Sequence, residues 1–221
     1  MANRHVISYD IVLLEPCLCA GLGGDPNMVL SLDYVSGSAV RGALITRYKQ
    51  KHGLSRLDLS VPRQRELFFG SSRFTNAYLI DHKEQIRLLP VPRSFHLPKD
   101  SDRTVVDLAA PGTLPGVELV GLPSSCFCRI EASDVYLASP LRSFHFHNQR
   151  DAVLGRATES TGAVFRYDAL ARGQIFRGYI LCDDDQCARE VQELLSHEDI
   201  VYLGGSRSAE YGQCRLENIE D

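Results

Sequence analysis

Residues 174–219, QIFRGYILCDDDQCAREVQELLSHEDIVYLGGSRSAEYGQCRLENI, decide how this chain folds. Gln174–Cys182 is aliphatic and aromatic and predicts a strand. Asp183–Ser196 places Cys187, Val191, Leu194 and Leu195 at helical spacing, which gives a helix one apolar stripe. The aspartates that lead it suit the positive end of the helix dipole. Ile200–Leu203 is a short apolar run, and Gln213–Ile219 predicts a last strand. Between them, Tyr202–Gln213 holds three glycines, two serines and an arginine. Glycine lets the backbone take φ > 0 and lets a ligand approach closely. Successive N–H groups in such a loop can converge on one anion, and Arg207 adds a planar donor fork suited to phosphate. Two readings stand: a phosphate cradle built by Gly204, Gly205, Ser206 and Arg207, or a connection whose glycines only turn the chain.

Working outward, His5–Cys19 predicts the first strand and Ala20–Asn27 a loop. Ala39–Lys51 carries Val40, Ala43, Leu44 and Tyr48 at helical spacing. Ser36 or Ser38 is its natural N-cap, and Gly53 follows as a stop. Arg41 lies in the first turn, where a cation opposes the dipole. That placement makes sense beside a bound anion; the alternative is a side chain turned to solvent. Leu67–Gly70 is an apolar anchor. Arg73–Asp81 and Gln85–Val91 read as strands, and Ser125–Ala132 as another. The stretch at about 92–124 is weakly patterned and reads as an irregular insertion. Ser143–Arg166 begins with Phe144, His145, Phe146 and His147, which puts phenylalanines on one face of a strand and histidines on the other. With Arg150, Arg156 and Arg166 and the turn Ser160–Gly162, it predicts an exposed hairpin whose aromatic and basic side chains suit single-stranded RNA or DNA. Without insertions the order is β–α–β–β, hairpin, β–α–loop–β. The expected class is therefore α+β: a ferredoxin-like or RRM-like βαββαβ core with an inserted β-hairpin and a C-terminal glycine-rich loop, one domain over residues 1–221.

The 221 residues carry a net charge of −4, which does not point to a nucleic-acid partner. The distribution is more telling. Only Lys49, Lys51, Lys83 and Lys99 are lysines, and the other basic residues are arginines. Arginine excess follows from a GC-rich genome or from bidentate phosphate recognition. Acidic residues crowd at Asp183–Asp185 and near the C-terminus, so a basic face remains available. The seven cysteines are odd in number and no secretory signal precedes them, which argues against a disulfide framework. Cys17 with Cys19, and Cys126 with Cys128, share strand faces. None of these spacings is a zinc pair, and buried thiols are expected. His145 and His147 lack a third ligand at a metal-binding spacing. No apolar run approaches the roughly 20 residues that span a bilayer. The expectation is a cytoplasmic protein with no membrane partner.

Four segments in register carry a resemblance. Asp33–Leu44 (DYVSGSAVRGAL) resembles the IPGSSLRGALR segment of the CRISPR-associated RAMP superfamily, and Leu67–Gly70 followed by Asp81 resembles its LFG…D segment. Ala163–Gly178 (AVFRYDALARGQIFRG) is similar to its lF.yE.l..G..F.g segment. Gly204–Ser208 with Tyr211 and Gly212 resembles its glycine-rich loop. Gly24–Asn27 points toward the type III-D subunits. Serine stands at position 36 where proline is usual, and Glu210 displaces the second loop glycine.

The resemblance implies a subunit that binds CRISPR RNA in a type III effector complex acting in antiviral defence. Its partners would be target RNA, other RAMP subunits and a large polymerase-like subunit. Ser38, Arg41 and the glycine loop with Tyr211 would hold the RNA backbone, which does not read sequence. His145, His147, Arg150 and Arg156 would act from a hairpin thumb that wedges between guide and target. No cofactor is expected of such a scaffold. A second reading is a target-RNA endonuclease that uses Asp25, less plausibly Asp33, with a divalent metal. Gly-Asp-Pro-Asn is also a turn sequence on its own. A third reading is a guide-processing ribonuclease with His145 or His147 as general acid or base.

Overall fold

Two apolar patterns build the main sheet, the alternation of residues 5–13 and that of residues 175–182. A computed structural model describes residues 4–21, 28–99, 104–110, 116–131, 134–148 and 164–221. They divide into two units, Met1–Tyr78 with Leu141–Asp221, and Leu79–Pro140. The first unit contains β1 (His5–Leu13), β2 (Met28–Leu30), α1 (Gly37–Lys51), β3 (Ser72–Phe74), β4 (Arg142–Asn148) and β5 (Val164–Leu170). It continues with β6 (Ile175–Cys182), α2 (Asp185–Ser196), β7 (Ile200–Tyr202) and β8 (Gln213–Glu220). Mixed α+β architecture is thus observed, as expected.

In this unit β7, β8, β1, β6 and β3 lie side by side in that order, each pair antiparallel. Ile7, Tyr9, Ile11 and Leu13 of β1 are buried, as are Phe176 and Ile180 of β6. α2 packs on β1, β6 and β8, and α1 packs against α2. Their buried stripes are Val40, Leu44 and Tyr48 on α1, and Cys187, Val191, Leu194 and Leu195 on α2. Full burial of one such aliphatic side chain contributes roughly 1.5–3 kcal/mol, so these stripes hold the helices to each other and to the sheet. On the other face of β1, buried Asp10 accepts two bonds from Arg177 at 2.7 and 2.8 Å. A bulge between β1 and β8 lets Asn218 donate to the same carboxylate at 2.8 Å.

Ser36 is the residue that caps α1, accepting from the Ala39 N–H at 3.3 Å. The helix starts at Gly37, earlier than its apolar spacing predicts. A side chain is excluded there, because a Cβ would stand 2.2 Å from the Phe74 carbonyl oxygen. The Gly37 N–H donates to Asn76 Oδ1 at 3.0 Å, which ties the helix start to the turn after β3. Asp184 caps α2 through the Cys187 N–H at 2.8 Å.

Several boundaries differ from the expected ones. The first strand stops at Leu13, because Leu14 and Glu15 donate to the Gln213 carbonyl and turn the chain away. Leu67–Gly70 lies in a π-helical turn, Glu66–Gly70, that follows the short helix Pro62–Arg65. The predicted strand Arg73–Asp81 is interrupted, with Ala77 bonding Val35 instead of continuing a ladder. Met28–Leu30 is a strand that the sequence pattern was too short to reveal.

The second unit is built of short antiparallel ladders. Phe127–Glu131 pairs with Asp134–Ala138 and with Leu89–Pro90. Phe95–Pro98 pairs with Val106–Asp107 and Leu119–Gly121. The stretch expected to be irregular therefore carries a small sheet among its described residues. All seven cysteines are buried free thiols, as expected. The hydrogen bond with Cys17, whose Sγ is 3.6 Å away, and then burial push the Cys19 thiol far up. No helix among the described residues is long and apolar enough to cross a membrane.

Candidate functional site

The glycine loop is pinned to the chain that leaves β1. Leu203 N–H donates to the Gly212 carbonyl at 2.9 Å and closes the loop on itself. Gly205 N–H donates to Leu18 O at 3.0 Å, and Gly212 N–H to Pro16 O at 2.8 Å. Gly204 has φ +78°, and a Cβ there would lie 2.5 Å from Leu18 O. Glycine is demanded here by both backbone conformation and close approach. Ser206 and Glu210 take left-handed conformations, each with φ +61°, on either side of the 3-10 turn Arg207–Ala209.

Arg207 lays its guanidinium 3.7 Å from the Tyr202 ring centroid, and both residues are exposed. Among the described residues, the N–H groups of Ser206, Arg207 and Ser208 have no hydrogen-bond acceptor, and Arg207 has no carboxylate partner. The loop thus presents uncommitted donors and one stacked cation. Beside it lies a groove of about 320 Å³ lined by Thr46 and Gln50 of α1, with Tyr202, Gly204 and Arg207 opposite. The structure brings this face of α1 to the loop. Ser38 and Arg41 are not among the groove's lining residues. Ser38 is exposed and its hydroxyl lies 3.0 Å from that of Ser36. Arg41 packs over the Phe69 ring at 4.9 Å, which gives the first-turn cation a partner within the protein.

Arg47 is a residue that the pattern of the helix did not single out. It is 4% exposed. Its Nη1 donates to Leu194 O and Leu195 O at 2.8 and 2.9 Å, and its Nη2 to Glu198 O and Ile200 O at 2.6 and 3.0 Å. The four carbonyls belong to the end of α2, the segment after it and the first residue of β7. Burial lowers its proton affinity, opposed by the charges of Glu198 and Asp199. Its position on the buried side of α1, between Leu44 and Tyr48, is the signal that could have exposed it: an arginine in an apolar stripe needs partners.

β4 and β5 pair antiparallel, with Phe144 opposite Asp168, His145 opposite Tyr167 and Phe146 opposite Arg166, and the turn expected at Ser160–Gly162 lies outside the described residues. β2 adds a parallel third strand to this pair. Phe144 and Phe146 share a face and are 51% and 71% exposed. Arg166 stacks on Phe144 at 4.9 Å. His145 faces the other way and meets Tyr211 edge to face at 5.8 Å, while its ring Nε2 lies 2.8 Å from the Ser143 hydroxyl. Tyr211 is buried with Leu18 and Ala169 and also meets Tyr167 edge to face. Burial, and then Tyr167, raises the Tyr211 phenol's pKa. Its ring therefore joins the glycine loop to the hairpin rather than facing solvent. Arg142 anchors the hairpin base, bonding Asp168 at 2.7 Å, Asp33 at 3.2 Å and the Ser31 carbonyl at 2.9 Å.

Asp25, Arg150 and Arg156 lie outside the described residues, as does the side chain of His147. Asp33 is committed to Arg142. Among the described residues, no group of three His, Cys, Asp or Glu side chains could hold a metal ion.

The family model of the RAMP superfamily matches residues 13–215. No curated protein matches the chain. Among solved structures, a chain of a type III-B Cmr-beta complex bound to cognate target RNA superposes with a TM-score of 0.54 at 12% identity, covering 96% of each chain. A chain of a type IV-B CRISPR complex does so with a TM-score of 0.51 at 15% identity, over 98% of this chain and 90% of that one. These likenesses show a shared fold.

Proposed function

Because the chain belongs to the RAMP superfamily, we propose that it is a structural subunit that binds CRISPR RNA in a type III RNA-guided effector complex. The observation that carries this reading is the glycine loop. It is held rigidly against residues 16–18, yet leaves three backbone donors and the stacked Arg207 uncommitted. Preformed donors beside a planar cation suit a phosphate oxygen. We read the order β8-β1-β6-β3, with α1 after β1 and α2 after β6, as that of a ferredoxin-like βαββαβ core. We read β4 and β5 as the base of its thumb and residues 79–140 as an insertion in one RAMP domain. The exposed Phe144, Phe146 and Arg166 offer rings and a cation for unstacked bases. Guide and target RNA, further RAMP subunits and a large polymerase-like subunit are the partners this role requires, in the cytoplasm.

Arg207 and the loop donors hold the backbone, and Tyr211 and Arg142 fix the hairpin relative to them. Target sequence is then read by base pairing with the guide. Arg207→Ala tests the reading by fluorescence anisotropy on labelled single-stranded RNA. The expected result is weaker binding with a salt slope reduced by about 0.7, the share of one single-strand phosphate contact. An unchanged affinity and slope would remove the loop from the site.

One observation favours a nuclease reading as second choice. Residues 22–27, which include Asp25, are flanked by Gly21 and Met28. The described chain on either side of them is joined by the Ala20–Ser31 bridge, next to the strand β2 that pairs with β5, and Leu18 accepts from Gly205 of the glycine loop. Among the described residues no group of three His, Cys, Asp or Glu side chains could hold a metal ion, so this reading rests on Asp25, and no step through a metal is derived. Asp25→Ala in the reconstituted complex decides it: target cleavage lost at unchanged guide affinity would establish the nuclease.

A further inference from the structure

We infer that the cleft between the glycine loop and the hairpin base holds one unpaired guanine of a bound RNA, read on its donor edge by Glu210. This deepens, and rests on, the RNA-binding reading above. The cleft measures about 350 Å³, within the roughly 300–1,000 Å³ of sites that take small molecules. Its floor is rigid, because Leu14 and Glu15 donate to Gln213 O and Pro16 accepts from Gly212. His145 stands on one side, held by Ser143 and by the Tyr211 ring. Glu210 stands on the other, its backbone fixed in the left-handed region, and Arg172 completes the lining. Glu15 is already committed, accepting from the Gln213 N–H at 3.1 Å. Glu210 and Arg172 are different. Among the described residues neither has an ion pair or a side-chain hydrogen bond, although both line the same small cleft.

A carboxylate next to a phosphate-binding loop repels phosphate and needs a donor, which in RNA is a ribose 2′-hydroxyl or a base edge; the flat side chains lining this cleft favour a base. An ionised carboxylate only accepts hydrogen bonds. Guanine alone presents two adjacent donors, N1–H and the N2 amine, on its Watson–Crick edge. Adenine and cytosine each set an acceptor beside their amine, and uracil sets one N–H between two carbonyls. Both oxygens of Glu210 are therefore satisfied by guanine and by no other standard base. His145 and the Arg172 guanidinium supply flat surfaces on which an unstacked base rests. Glu210, which departs from the glycine usual at that place, thus becomes a specificity residue in a subunit whose other contacts are indifferent to sequence.

The full chain is titrated by fluorescence anisotropy with a labelled oligouridine and with the same oligomer carrying one central guanine. The guanine oligomer is expected to bind about five- to tenfold tighter, toward the low end of what one bidentate base contact discriminates. Inosine, which lacks the N2 amine, falls between. Glu210→Gln, whose amide puts a donor where an acceptor is needed, and Glu210→Gly, which suits the left-handed backbone, bring the two oligomers to equal affinity. No guanine preference, or a preference that survives Glu210→Gly, overturns the inference. Loss of oligouridine binding would instead sink the broader RNA reading. The cleft is then judged by guanosine and adenosine monophosphates in NMR titrations. Selective broadening of the His145 ring signals by the guanosine nucleotide supports the site, and equal or absent broadening overturns it.

Discussion

Replacing Arg47 with methionine keeps an unbranched apolar stem and removes one guanidinium from four carbonyls. Those carbonyls, of Leu194, Leu195, Glu198 and Ile200, lie 2.6–3.0 Å from Arg47 nitrogens. Two belong to the last turn of α2, where carbonyls have no partner within the helix. A buried acceptor left unpaired costs about 1–3 kcal/mol. If all four stayed dry the loss would be at least about 4 kcal/mol. Arg47 borders the groove beside the glycine loop, so water reaches some of them once the side chain is gone. The loss of a cation at a helix C-terminus adds about 0.3–2 kcal/mol. The expected cost is therefore about 3–5 kcal/mol, comparable with breaking a buried ion pair and a large share of a typical domain's 5–15 kcal/mol. Arg47→Lys places one ammonium where two nitrogens stood and should lose about half as much. Urea unfolding of the three proteins, read as shifts in midpoint at constant m-value, measures this. A cost below about 1 kcal/mol for methionine would refute the reasoning, because it would mean that water serves these carbonyls as well as arginine does.

Three further outcomes follow from particular residues. Gly204→Ala forces a side chain into a φ of +78° and against Leu18 O; it should cost about 1–3 kcal/mol in thermal unfolding and weaken RNA binding in the same preparation. His5 bridges Asp185 and Asp221 at 2.9 and 2.7 Å, and bonding to Asp185 and then Asp221 raises its pKa above 6.5. A raised folded pKa means that its stabilisation is complete below the unfolded value and is lost as pH rises through the folded one; the melting temperature of wild type should fall across that window, and His5→Gln should flatten the fall. Phe146→Ala touches a ring that is 71% exposed, so stability should move by less than about 0.5 kcal/mol while single-stranded RNA affinity drops by about 1–3 kcal/mol in anisotropy titrations.

What could be read from the residues alone was what is local. The helix α2 announces itself through apolar spacing and a run of aspartates, and the structure places its cap at Asp184. The face alternation of Phe144 and His145 survives folding because a strand's period of two is a backbone property. Interactions between distant segments were not legible. Arg47 meets residues some 150 positions away, and nothing in its own neighbourhood says which carbonyls await it. Tyr211 looked like a loop residue available to RNA, yet it is 2% exposed, because the hairpin folds over it. Strand Met28–Leu30 is three residues long, too short to show a period, and exists because β5 offers it an edge.

Pro16–Cys19 explains why these separate features form one site. Cys17 exchanges backbone bonds with Leu170 at the end of the hairpin, Leu18 accepts from Gly205, and Cys19 accepts from Leu32. A single extended segment thereby fixes the hairpin, the glycine loop and the chain returning toward α1. Such a segment has no freedom to yield in one direction without moving the others, since its own side chains Cys17, Leu18 and Cys19 are all buried. Substitutions in the loop and in the hairpin therefore share partners and should not add: the pair Gly204→Ala and Tyr211→Ala would cost less than the sum of the two, because either one already frees the loop from residues 16–18. The loop's donors keep their geometry only while this segment is held from both sides.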